Sequence, residues 1–282
     1  MSDVIRELQL LPPFVLNVVK LCIWLVLLSI VFIPLERLFA LRRQEISRKS
    51  FWTDLTYYFL NSLLPNFILI FPLSLVAWAA HHFVPYRLHE AVQLMPLWAR
   101  LTAALVIGEI GFYWGHRWSH EIPLLWRFHA VHHSAEEIDW LVNTRAHPFD
   151  MVFTRLCGFA PLYLLGLMQG GGASADLAPI LIVLIGAVWG FFIHANLRWR
   201  FGPVEWVIST PGFHHWHHTN DEHRDMNFAP VFPWVDRLFG TLHLPGREWP
   251  VVYGIDAPIS ENMAGQLLDP LLPASRAAAP ST

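Results

Sequence analysis

Long apolar runs separated by short polar stretches dominate this chain, and their length predicts membrane-crossing helices. A hydrocarbon core of roughly 30 Å takes about 20 apolar residues in a helix. Phe14 to Leu35 meets that length, with Lys20 placed to snorkel at its outer end. Tyr57 to Ala80 meets it too, with Pro65 and Pro72 expected to kink the helix. Pro96 to Gly115 is a third span, running straight into polar sequence. Met151 to Met168 and Leu177 to Ala195 form an apolar pair joined by a turn at Gln169–Asp176; they read as two spans or as a re-entrant hairpin. The first run is long for a signal peptide and lacks a clear small-x-small cleavage site, so it is read as an uncleaved span.

Composition agrees with a membrane protein. The chain is 54% hydrophobic and 15% charged, with a mean hydropathy of +0.39. A net charge of -3 leaves no basic footprint for nucleic acid. Cys22 and Cys157 are too few for a thiolate cluster, so any metal chemistry must use nitrogen and oxygen. Arginines gather at Glu36–Asp54, around the histidine stretches and after the last apolar run, whereas His81–Met95 carries only Arg87. Positive charge marks the cytosolic side, and counting crossings agrees. The expected fold is all-α: polytopic transmembrane helices with a cytosolic helical cap. A sequence this rich in arginine and alanine and poor in lysine fits a bacterial inner membrane. The end from Pro273 to Thr282, mostly alanine, serine and proline, reads as disordered.

The candidate chemistry lies in histidines. His116 and His120 form H-x3-H; His129, His132 and His133 form H-x2-H-H; His214, His217 and His218 repeat that spacing. Helical residues three and four apart share a face, so each set projects together, within an arc of about 100°. His215 falls between two faces. Isolated histidines are usually hydrogen-bonded core or surface residues, but eight at three matching spacings point to a site for two metal ions. Charge supports this: imidazolium ions about 4 Å apart repel by roughly 4 kcal/mol at an effective dielectric of 20, so a dense cluster must be largely neutral. His147 and His194 are further candidates to complete the coordination. Glu109 lies two helical turns before His116 on the same face, and is expected to hydrogen-bond the outer nitrogen of a ligand histidine.

These residues resemble the fatty acid hydroxylase superfamily, in its sterol desaturase branch. The resemblance rests on Glu109-x3-Tyr113-Trp114-x-His116-Arg117-x2-His120, His129-x2-His132-His133, Arg145-x-His147-Pro148, Phe192-x-His194-x-Asn196, Pro211-x2-His214-x2-His217-His218, Asn227-Phe228 and Trp234-x-Asp236-Arg237-Leu238-Phe239-Gly240-Thr241. It implies a non-haem di-iron enzyme that uses dioxygen to hydroxylate or desaturate a sterol, fatty acid, carotenoid or related lipid. It also implies catalytic roles for Glu109, Tyr113 and Asn227. No b-type cytochrome is fused here, so electrons are expected from a separate reductase with a b-type cytochrome or ferredoxin. Where some members carry a further histidine this chain has Gly190, and His147 is the substitute candidate. The division expected is 1–104 as N-terminal transmembrane region, 105–243 as the domain with the histidine motifs, and 244–282 as tail. Zinc also fits an all-nitrogen site. A membrane zinc hydrolase is the alternative, but its H-E-x-x-H signature would put glutamate where Arg117 stands. A metal transporter, the other alternative, would place histidines within the spans.

Overall fold

The computed structural model describes residues 11–168 and 177–272. The expected turn at Gln169–Asp176 and the tail end from Pro273 lie outside the described residues. Among those described, the regular elements are helices: α1 (Pro13–Leu38), α2 (Phe51–Phe83), α3 (Tyr86–Gln93), α4 (Leu97–Glu121), α5 (Pro123–His133), α6 (Pro148–Leu164), α7 (Leu177–His194), α8 (Pro211–His217), α9 (Pro233–Phe239) and α10 (Met263–Leu268), with three short 3-10 helices. Extended pairing is confined to two isolated bridges. The all-helical expectation holds.

Two helices, α1 and α2, are long and apolar enough to cross a membrane. Phe14, Trp24, Ile30 and Val31 on α1, and Phe67, Phe71 and Trp78 on α2, stand exposed. Such a surface is costly in water and at no disadvantage in hydrocarbon. Pro65 and Pro72 fall inside α2, which runs on as one helix through both. α4 has the length of a span, yet carries buried Arg100 and Glu109.

Prolines set where the site's helices begin. α5, α6, α8 and α9 each open on a proline, whose fixed φ suits the first helical position and whose missing N–H costs nothing there. α9 stops at Gly240, which adopts φ 77°. α4 and α6 pack intimately because their backbones nearly touch. A Cβ at Gly111 would sit 2.3 Å from the carbonyl of Cys157, and one at Gly158 would sit 2.4 Å from the Phe112 ring. That approach brings the histidines at the end of α4 against the start of α6.

Candidate metal centre

Nine imidazoles converge in two groups. His116, His120, His129, His133 and His217 form one; His132, His194, His214 and His218 form the other. Each H-x2-H-H motif is split between them. His129 and His133 serve the first group while His132 serves the second; His214 and His218 serve the second while His217 serves the first. The groups share a wall, with the His133 ring stacked on His218 at 4.6 Å.

The tautomers follow from the outer partners. The Nδ1–H of His116 donates to the Phe228 carbonyl (2.7 Å), that of His217 to Met226 (2.9 Å), that of His132 to Arg145 (2.8 Å) and that of His194 to Gly190 (2.7 Å). His129 donates to Asp150 and His120 to Asp225, both at 3.0 Å. Six of the nine rings therefore spend their hydrogen outward. A neutral ring so arranged turns a bare Nε2 lone pair inward.

Those lone pairs face one another. In the four-histidine group the Nε2 atoms of His194, His214, His218 and His132 stand 3.0 to 3.3 Å apart in neighbouring pairs. In the five-histidine group the Nε2 of His133 lies 3.1 Å from those of both His120 and His129. Nε2 of His217 has no protein partner. Two nitrogens bound to one ion at about 2.1 Å stand about 3.0 Å apart at a right angle and about 3.4 Å at the tetrahedral angle. The spacing, the bare lone pairs and the orphaned nitrogen all fit shared cations, one per group. Protonation is no substitute. Burial first, and neighbouring imidazoles second, hold His132, His133, His214 and His218 well below the ordinary histidine range; burial does the same to His217.

Two expected roles are not met by the geometry. His147 joins neither group. Its Nδ1 accepts from the Phe149 N–H and caps α6, and its Nε2 donates to the Leu267 carbonyl at 3.2 Å. Glu109 reaches no histidine; its Oε1 accepts from the N–H groups of Val231 (2.7 Å) and Phe232 (2.6 Å). The space at Gly190 is filled by Asn143, whose Oδ1 would lie 2.6 Å from an added Cβ. Tyr113 and Asn227 also stand back from the ligand nitrogens. Tyr113 is buried against Phe239, its hydroxyl bonded to Thr241. Asn227, in the left-handed region at φ 59°, pins both ends of its loop, to Phe213 and to His243. His215 is engaged at both nitrogens, by Tyr253 and the Ala195 carbonyl.

The residues that replace Glu109 in the orienting role were not singled out by spacing. Asp150 is buried and takes His129 and the Ser119 hydroxyl; burial works to raise its pKa, but the His129 ring bonded to it outweighs that and holds it below the ordinary range. Asp225 is 61% exposed. Asp236 accepts from the N–H groups of Phe228 and Ala229 and from Thr241, fixing the loop whose carbonyls hold His116 and His217. Glu109 steadies the same loop from the other side. Glu109→Gln keeps an acceptor there, so ferrous-ion binding should stay within about 2-fold of the parent, whereas Glu109→Ala orphans two N–H groups at about 1–3 kcal/mol each. Titrations of both variants with Fe(II), beside their melting curves, check this; a loss of affinity in Glu109→Gln equal to that in Glu109→Ala would return Glu109 to the metal.

A model of the fatty acid hydroxylase family matches residues 101–241. The chain is 36% identical to ornithine lipid hydroxylase OlsE of Rhizobium tropici over 71% of its own length and 58% of that protein's. It is 28% identical to the alkylglycerol monooxygenase of Homo sapiens, over 62% of this chain and 37% of the relative. It is likewise 28% identical to the Delta(7)-sterol-C5(6)-desaturase of Nicotiana tabacum, over 51% and 49%. The matched stretch thus spans between about a third and three-fifths of each relative. No solved structure matches.

Proposed function

The chain belongs to the fatty acid hydroxylase family, and from that premise we propose that it is a membrane-bound oxidoreductase holding two iron ions, which uses dioxygen and outside electrons to hydroxylate a membrane lipid. The observation that carries this is the convergence of nine histidines on two centres, six with their hydrogens committed outward. Bound iron supplies what no side chain can, an oxidant for an unactivated C–H bond. The chain does the rest. Its histidines form the two ligand sets, and zinc would also fit them in isolated protein. Backbone carbonyls, Asp150 and Asp225 fix the ring orientations, and burial holds the pKa values of His132, His133, His214, His217 and His218 down, favouring neutral rings.

The lipid reaches the site from the bilayer, past the exposed apolar faces of α1 and α2. Hydroxylation is preferred to desaturation because the relative of higher identity is a lipid hydroxylase and the second a monooxygenase. An ornithine-bearing lipid is the first substrate to try. A separate reductase with a b-type cytochrome or ferredoxin supplies the electrons, and residues 105–243 form the domain that does the chemistry.

The test is isotopic. Protein reconstituted with iron, a reductase and carrier should hydroxylate lipid only in air, and the new oxygen should come from labelled dioxygen. Turnover under strict anaerobiosis, or oxygen drawn solely from labelled water without exchange, rejects the proposal in favour of a hydrolase or hydratase. We place the site on the cytosolic side of a bacterial inner membrane: the arginine-rich loops support the sidedness, and scarce lysine against abundant arginine and alanine supports the source. A cytosolic reporter fused after Gly240 should be active and one inserted near Glu90 silent; the reverse pattern puts the site outside.

A further inference from the structure

We propose that Asp54 is a positioning residue for the four-histidine group: through Arg145 it fixes the carbonyl that orients His132, and so ties the start of α2 to that group. The inference rests on the metal-centre reading above.

Asp54 lies near the start of α2 and is fully buried. Both its oxygens are used. Oδ1 accepts from Arg145 Nε at 2.5 Å; Oδ2 accepts from the same guanidinium at 3.0 Å and from Arg48 at 2.6 Å. Arg48 in turn grips Asp139 through two bonds of 2.7 Å. Asp139 caps the 3-10 helix Trp140–Thr144, accepting from the N–H groups of Leu141 and Val142. The residue that follows that helix is Arg145, whose carbonyl receives the His132 hydrogen. α2 holds the flanking residues as well. Asn61 donates to the carbonyls of Thr144 (2.9 Å) and Ala146 (2.7 Å), and the Thr144 hydroxyl donates to the Asp54 carbonyl. The one carbonyl left for His132 is thus bracketed on both sides and pulled by its own side chain.

A buried set of two arginines and two aspartates is a poor way to gain stability, since desolvation consumes most of the attraction. Its bidentate arms do fix direction, which an apolar cluster would not. The five-histidine group is aligned by different acceptors: Asp150, which also holds Ser119, Asp225, and the loop carbonyls backed by Asp236.

The test uses full-length protein loaded with Fe(II) and, separately, with Co(II), whose visible spectrum differs between four-coordinate and higher-coordinate sites. Asp54→Asn removes the charge that two arginines share. Arg145→Lys is milder, keeping charge while giving up the fork. Arg145→Lys should weaken one ion by on the order of 10- to 100-fold and leave the other unchanged. Asp54→Asn should hold about one ion where the parent holds two, with the four-coordinate cobalt signal lost. Asp150→Asn should give the mirror result, weakening the ion of the five-histidine group. Two ions bound by Arg145→Lys with parental affinities, or equal weakening at both groups, would overturn the proposal. A parent protein that takes up neither ion would overturn the metal-centre reading beneath it, and the two failures are told apart by that control.

Discussion

Purified His217→Ala protein should lack turnover and should bind the ion of the five-histidine group at least about 100-fold more weakly. Losing a mere outer partner of a ligand already costs about 10- to 100-fold, and His217 offers the nitrogen itself. Its Nε2 is buried with no protein partner, so nothing inside the fold replaces what it would give a cation. His132→Ala should do the same at the other group, where it is one of four. His147→Ala supplies the contrast. It removes the cap of α6 and the tie to Leu267, at a typical cost of about 1 kcal/mol for the cap, and should leave metal binding at the parental level. Metal content and melting temperature measured on all three variants decide the matter. Equal metal in His217→Ala and His147→Ala would remove His217 from the site.

The second large effect concerns acid. Five histidines of the two groups, His132, His133, His214, His217 and His218, have pKa values pushed far down by burial, whereas in an unfolded chain each titrates near 6.5. Above about pH 6.5 both states are neutral at these residues and folding is indifferent to pH. Below it the unfolded chain takes up protons that the folded chain refuses, so stability falls with pH. Each group contributes about 1.4 kcal/mol per pH unit, so all five together reach about 7 kcal/mol per unit while the cluster stays closed. That is comparable with the whole stability of many domains. Chelator-treated protein should therefore melt far lower at pH 5.5 than at pH 7.5. Protein saturated with metal should resist until protons displace the ions, shifting the loss to lower pH. Melting scans across this range, with and without excess Fe(II), give the comparison; pH-independent melting of the metal-free form would show the imidazoles to be less enclosed than the fold places them.

Much of the site could be read from spacing, because ligands repeat at helical intervals and His194 closes an apolar run. The division into two groups needed one step more. Residues four apart differ by only about 40° around a helix, while the residue three on falls about 60° to the other side. The pairs His116/His120, His129/His133 and His214/His218 each serve a single group accordingly, and the odd members His132 and His217 each cross to the other. What spacing could not carry is the ring orientation. Four of the six outer acceptors are backbone carbonyls, which no residue type announces. The others, Asp150 and Asp225, meet their histidines across 21 and 105 residues of chain. Glu109 misled because it shares the face of His116 on α4; the loop at Val231 and Phe232 claims it first. His147 misled because a histidine before proline serves equally well as a helix cap.

The 33 residues of α2 amount to about 50 Å of helix, against a hydrocarbon thickness of roughly 30 Å. A helix of that length set across a bilayer leans or protrudes, by an amount that follows the membrane's thickness. Its N-terminal part carries Asp54 and Asn61, which grip the segment beside His132. In any membrane that α2 crosses, bilayer thickness thereby becomes an input to the geometry of a buried imidazole, and short- and long-chain phospholipid vesicles are different environments for it.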